Sequence, residues 1–349
     1  MMVSAPSSGR RRALRAYATL ALILTGMMIL GVVTGPSGTG VTPSGALRAL
    51  LHPEPARSRA IWDVSQTIVW EIRLPRVVVA ALIGALLALA GVALQGLLMN
   101  PLADPYTVGA SAGAAVGAAV AEVAGIAALL GGLIGILSAF TAAIAASALV
   151  YALARVNGRV SVQTFLLAGV VVGTLLWSLI PLLMTIAGRG DDLQRIYFYL
   201  IGSLQAADWS RAMLLAPFAM AAGALLWSLS RELNLMTLGE ESAHHLGVAV
   251  EPLKRTILAC GALATAAAVS IGGIIGFVGL VVPHMARYLV GPDHRSLVPA
   301  AALGGAILLV ASDTVVRVWF NDMPVGVITA IVGAPVFCML IRRRRAVAW

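Results

Sequence analysis

The chain has 349 residues, 60% of them hydrophobic and 11% charged, with a mean hydropathy of +0.94 and a formal net charge of +9. A soluble domain carries roughly a quarter charged residues, so this chain cannot clothe a water-facing surface; a soluble enzyme is excluded and lipid is the solvent. The basic excess is nearly all arginine, Lys254 being the only lysine, and it lies between apolar runs, which points to membrane orientation rather than nucleic acid.

Arg10, Arg11, Arg12 and Arg15 precede an apolar run from Ala16 to Val33. The run is long enough to span and no clear A-x-A cleavage pattern follows. It reads as a first transmembrane helix behind a cytoplasmic tail, 1–13, rather than as a signal peptide. A span needs about 20 apolar residues. Ten are predicted: 14–34, 70–99, 106–122, 124–153, 161–187, 209–230, 252–274, 276–290, 296–320 and 326–341. Gly125, Gly188, Gly291 and Pro292 punctuate the joins. A polar, Pro-containing loop, 35–69, follows the first span, and the longest inner loop, 231–251, reads as a small helical element. The whole chain is one transmembrane domain of an all-α membrane protein.

An even number of spans puts both termini on one side. The positive-inside rule makes that side the cytoplasm. Arg155, Arg159, Arg231, Lys254, Arg255, Arg287, Arg295 and Arg342 to Arg345 then join the N-terminal arginines inside. Outside fall Arg48, Arg57, Arg59, Arg73, Arg76, Arg189, Arg195, Arg211 and Arg317, a large minority that asks for its own explanation.

Glycines at 109, 113 and 117, and at 272 and 276, recur every four residues. Such faces favour close helix packing over a conduit lining. GLLMNP at 96–101 and GLVVP at 279–283 suggest a weak repeat with Pro at the inner end of an apolar helix. Cys260 and Cys338 lie in apolar runs and read as packing thiols, not a disulfide.

Several chemistries are missing. No G-x-x-x-x-G-K-[ST] loop is present, so the chain has no phosphate cradle for ATP. His244 and His245 are adjacent and point apart on a helix, which chelates a metal poorly. Glu122, Asp191, Asp313 and Asp322 fall near outer helix ends and Asp104 near an inner one, so no mid-membrane carboxylate relay is visible. No catalytic or metal site and no bound cofactor are expected.

EIRLPR at 71–76 leads into ALAGVALQGLLMNPLADPYTVGASAGA at 88–114. FYLIGSL, LGEESAHHLGV, IGGIIGFVGLVVPHMAR, GPDHR, ASDTVVR and MPVGVITAIVGAPVF follow in order to residue 337. Together these blocks resemble the FecCD-type permeases of iron-siderophore, haem and cobalamin ABC importers, over about residues 65–341. Phe198 and Tyr199 stand where relatives often carry Trp.

The resemblance implies a type II ABC importer permease of ten helices in a bacterial inner membrane. It implies a homodimer or pseudo-symmetric pair with the conduit between subunits. Two cytoplasmic ATPase subunits would hold ATP and Mg, and a periplasmic binding protein would deliver the cargo. An iron-siderophore is the first expectation, haem the second, cobalamin the third. A stand-alone channel or secondary carrier is the alternative.

Three groups of residues follow from these patterns. Leu238, Gly239, Glu240, Ala243, Leu246 and Gly247, with Glu241, His244 and His245, are expected to form the ATPase-coupling element. Arg73, Arg76 and Arg317 are expected to dock an acidic binding protein, with Arg317 also pairing Asp313 at i, i+4. Asn100, Pro101, Asp104, Pro105, Gly109, Gly113, Pro283 and His284 are expected to shape the inner gate and pathway rather than touch cargo. Purified without partners, the chain is expected to hydrolyse no ATP above background in a coupled phosphate-release assay; turnover typical of a transporter would contradict the missing phosphate loop.

Overall fold

A chain that leaves water must satisfy its backbone polar groups internally, and an α-helix does so within one segment. The computed structural model describes residues 6–35, 41–51, 64–156, 158–187 and 190–343. Two stretches of the 35–69 loop, with Arg57 and Arg59, lie outside the described residues, as do Gly188, Arg189, Arg344 and Arg345; so do the side chains of Arg10, Arg11, Arg12 and Arg343.

The chain opens with α1 (Pro6–Val33) and the short α2 (Pro43–Leu51). Next, α3 (Val64–Thr67) passes through a π-helical turn, Ile68–Arg73, into α4 (Leu74–Leu97). A 3-10 turn, Pro105–Val108, precedes α5 (Ala110–Val123), and another, Leu129–Gly132, precedes α6 (Leu133–Ala154). A two-stranded hairpin of β1 (Arg155–Val156) and β2 (Arg159–Val160) pairs Arg155 with Val160 and Val156 with Arg159. There follow α7 (Val162–Ile186), α8 (Gly190–Ile201) and α9 (Trp209–Ser228). The short α10 (Ser230–Met236) and α11 (Glu240–His245) lead to α12 (Val250–Gly272), α13 (Val278–Val290), α14 (His294–Trp319) and α15 (Val325–Arg343).

Among the described residues the ten expected spans fall on α1, α4, α5, α6, α7, α9, α12, α13, α14 and α15. Seven are long and apolar enough to cross a membrane, the α4 span running from Val64; α5, α13 and the apolar part of α15 are shorter. The end that holds the start of α1, the hairpin and α10–α11 is termed inner, following the expected orientation.

Two expectations about boundaries fail. The fourth span starts at Leu133 rather than 124, because Gly125, Leu130, Gly131 and Gly132 all adopt positive φ and break the helix. Pro283 lies within α13 rather than at its inner end, so GLLMNP closes a helix whereas GLVVP opens one and the suggested repeat dissolves. The amphipathic α8 and the hairpin have no counterpart in the sequence reading.

The centre of the molecule is α4, nearly every residue of which is buried from Val77 to Leu97. Lipid offers no hydrophobic force between helices, so close main-chain approach must hold them. Gly84 of α4 lies directly against the Gly305 carbonyl of α14, and Gly305 in turn against the Gly84 carbonyl. Two turns further along α4, Gly91 meets the Gly279 carbonyl of α13. On the opposite flank Gly113 and Gly117 of α5 face the Ala142 and Ser138 carbonyls of α6, as the packing reading of the glycine ladder expects.

A side chain at Gly84 or Gly305 would collide with main chain, which cannot swing aside. Gly305→Val is expected to destabilise by at least the ~1–3 kcal/mol of an overpacked core. Gly173→Ala, where a Cβ meets nothing within 4 Å, is the near-neutral control. Thermal unfolding of the detergent-purified proteins separates the two.

Candidate functional site

The outer ends of three spans meet in a buried charge cluster. Arg76, in the first turn of α4, donates from Nε and Nη2 to Asp313 Oδ1 at 2.9 and 2.7 Å, and from Nη1 to Asp322 Oδ2 at 3.1 Å. The other Asp313 oxygen accepts from Arg317 Nε at 2.8 Å within α14. Asp313 is fully buried and Asp322 sits in the turn before α15, held with φ +62°. An unpaired charge here would be costly, and each carboxylate is answered by a guanidinium fork.

Arg73 acts differently. Its Nη1 donates to the carbonyls of Val32 and Val33 at 3.2 and 3.0 Å, capping the C-terminus of α1 where the helix dipole is negative.

All three arginines expected to dock a partner are therefore together, as the sequence predicts, but only 4%, 7% and 4% exposed for Arg73, Arg76 and Arg317. They bind the fold together rather than line an open rim. Arg317 alone of the three has guanidinium nitrogens, Nη1 and Nη2, that find no acceptor among the described residues. Burial accounts for part of the outer minority of basic residues: Arg73, Arg76 and Arg317 are used internally, whereas Arg195 and Arg211 pair with Glu122 and Asp208 at 3.5 and 3.8 Å and Arg48 is exposed.

Two irregular segments, 98–109 and 273–277, come together. Pro105 packs against Gly279, and Pro283 against Gly91. Irregular backbone needs polar partners. Tyr106 supplies two, its hydroxyl donating to the Ile275 carbonyl at 2.6 Å and accepting from the Ile275 amide at 2.9 Å. The buried Gln95 donates to the carbonyls of Gly279 and Leu280 at 3.3 and 3.1 Å and accepts from Arg287 Nη1 at 2.6 Å.

Among the expected gate residues, Asn100 accepts from the Leu102 amide at 3.0 Å, and Pro101 follows it in the turn that ends α4. Asp104 accepts from the Tyr106 amide at 2.9 Å as the cap of the Pro105–Val108 turn. Gly109 holds φ +81° at the start of α5. Gly113 packs away on α6, and the His284 ring stacks edge-on to Tyr288 at 5.3 Å. Tyr106 and Gln95 were not singled out in the sequence; a lone Gln inside an apolar helix was the available signal.

At the inner end, α11 is bounded by Gly239 at φ +98° and Gly247 at φ +88°. Leu238 and Leu246 are 61% and 56% exposed, with Glu241, His244 and His245 exposed beside them. Ala243 points inward and is fully buried, and Glu240 turns inward to Lys254. The expected apolar edge is thus Leu238 and Leu246 alone. Beside it runs a groove of about 420 Å³ lined by Leu229, Leu235, Leu246, Val248 and Leu253 among others.

Comparison with known proteins agrees with this architecture. The profile of the FecCD transport family matches residues 17–343. The chain is 42% identical over 282 residues to the cobalamin import system permease protein BtuC of Halobacterium salinarum, covering 81% of this chain and 75% of that one. It is 40% identical over 295 residues to the hemin transport system permease protein HmuU of Yersinia pestis, covering 82% and 88%. A solved metal-chelate type ABC transporter in an inward-facing conformation superposes with a TM-score of 0.81 at 30% identity, covering 94% of this chain and 99% of that one. The fold and these likenesses define the permease subunit of an ABC transporter, whose ATPase is a separate subunit. The chain belongs to the FecCD transport family, which sets aside the stand-alone channel and the secondary carrier.

Asp313→Asn strands Arg317, leaves Arg76 with Asp322 alone, and is expected to cost about 3–5 kcal/mol, the usual result of breaking a buried pair from one side. Arg317→Met leaves Asp313 with Arg76 and should cost clearly less. Thermal unfolding in detergent ranks them; equal losses would mean that Arg76 does not hold Asp313.

Proposed function

We propose that this chain imports a metal chelate as one of a pair of like subunits, driven by ATPases docked on α10–α11, with both termini in the cytoplasm. The observation that carries the docking is the exposed Leu238 and Leu246 flanking α11 in a polar surround. Apolar side chains presented to water in this way call for a covering surface. The orientation is supported by Arg155, Arg159, Arg231, Arg255 and Arg295, all exposed at the same end. The two-fold pair and the external binding protein rest on the family resemblance. Arg317 Nη1 and Nη2, without an acceptor among the described residues but buried, could meet an acidic group on such a protein only if the outer end opens.

For the cargo, two relatives support an order different from the one expected from the sequence. The two named above carry cobalamin and hemin, at 42% and 40% identity. A macrocyclic metal complex of that kind is proposed ahead of a ferric siderophore. Titrating the cognate binding protein with cobalamin, haem and ferric siderophores should give tight binding of a macrocycle; tight binding of a siderophore alone would restore the original order.

The docking reading has its own test. Leu246→Glu is expected to lower co-purification with the ATPase at least about tenfold, as loss of an interface anchor does. Undiminished assembly would mean that α11 instead lies on the membrane surface.

A further inference from the structure

Lys254, the only lysine of the chain, is 3% exposed in the second turn of α12. An ammonium has three protons, and all three are used on different elements. Nζ donates to Glu240 Oε2 of α11 at 2.6 Å, to Glu251 Oε1 of its own helix at 3.2 Å, and to the Val160 carbonyl of β2 at 3.0 Å. The other oxygen of Glu251 accepts from the Val160 amide at 3.2 Å. Both backbone groups of Val160 are thus held from α12.

The consequence is mechanical. Glycines with positive φ bound α11 on both sides, so the chain itself would let that short helix swing. Lys254 removes that freedom. It binds α11 to α12 and to the hairpin that joins α6 to α7. The preceding helix has a separate anchor: Asn234 of α10 donates to Asp293 Oδ1 at 2.7 Å, and its own Oδ1 accepts from the His294 amide and Nδ1 at 2.9 and 2.7 Å. The two halves of the inner loop are thus anchored to different helices, α10 to α14 and α11 to α12 and the hairpin.

We propose that Lys254 is a positioning residue which makes α11, α12 and the 155–160 hairpin move as one body, so that displacement of α11 by the ATPase is delivered to α6, α7 and α12. This rests on the reading of α10–α11 as the ATPase surface. Loss of the ammonium leaves Glu240 and Glu251 partly exposed to water, so the fold can survive, while α11 regains its hinge.

The test uses the complete importer, with ATPase and loaded binding protein, in proteoliposomes, and reads cargo taken up per ATP hydrolysed. Lys254→Met is expected to lower that ratio about tenfold, within the range of ordinary coupling energies. Lys254→Arg, which keeps the charge and several donors, should restore part of it. A residue that merely stabilised the fold would reduce the amount of assembled complex and leave the ratio unchanged. Should Lys254→Met fail to assemble, Glu240→Gln weakens the α11 arm alone, and its ratio is expected to fall by a smaller factor. A wild-type ratio in Lys254→Met, or in Glu240→Gln where the first does not assemble, overturns the proposal. If Leu246→Glu blocks assembly while that ratio stays normal, this inference fails and the docking reading stands. If Leu246→Glu assembles normally, the docking reading fails.

Discussion

Everything in this molecule depends on how closely other backbones can approach α4. Helices in lipid gain nothing from hiding apolar side chains, because the solvent is equally apolar; what remains is contact between main chains and the hydrogen bonds that can cross. Gly84 and Gly91 open two such contacts, to α14 through Gly305 and to α13 through Gly279. With α14 and α13 seated, the irregular segments at 98–109 and 273–277 are pressed against each other rather than exposed to lipid.

That placement explains where the polar groups go. Broken backbone at membrane depth is tolerated when side chains complete it, and Tyr106 and Gln95 do so for the turns on either side of the Pro105–Gly279 contact. Asp104 and Arg287 join these turns, and other charges gather at the two ends. At the outer end Arg76, Asp313, Asp322 and Arg317 tie α4, α14 and the turn before α15, while Arg73 closes α1. At the inner end Asn234 joins α10 to the start of α14. Helix α14 thus runs from one polar node to the other, pressed against the central helix between them.

Much of this was legible in the residues. The pairing of Asp313 with Arg317 follows from their spacing of four on one helix, and the packing role of Gly113 and Gly117 from theirs. The exposure of the arginines was misjudged. Their position at an outer helix end is a property of the local sequence, but burial under α1 and the Asp322 turn depends on segments far along the chain. Ala243 was misjudged in the same way: a six-residue helix shows which residues alternate around it, not which side meets the protein.

By itself the sequence determined that the chain crosses the membrane, that it does so about ten times, and that it lacks the loop to hold ATP. Those conclusions need only the length and composition of each run, since bilayer thickness sets the ruler. The blocks from EIRLPR to MPVGVITAIVGAPVF also carried the family. Tertiary structure alone decided which glycine meets which carbonyl, which acid answers Arg76, and why the single lysine is buried. The partners of Arg76 lie 237 and 246 residues away, and Lys254 takes one of its three from 94 residues upstream. Helical periodicity reports a residue's own face, but a contact between distant segments is fixed only when the backbones have docked.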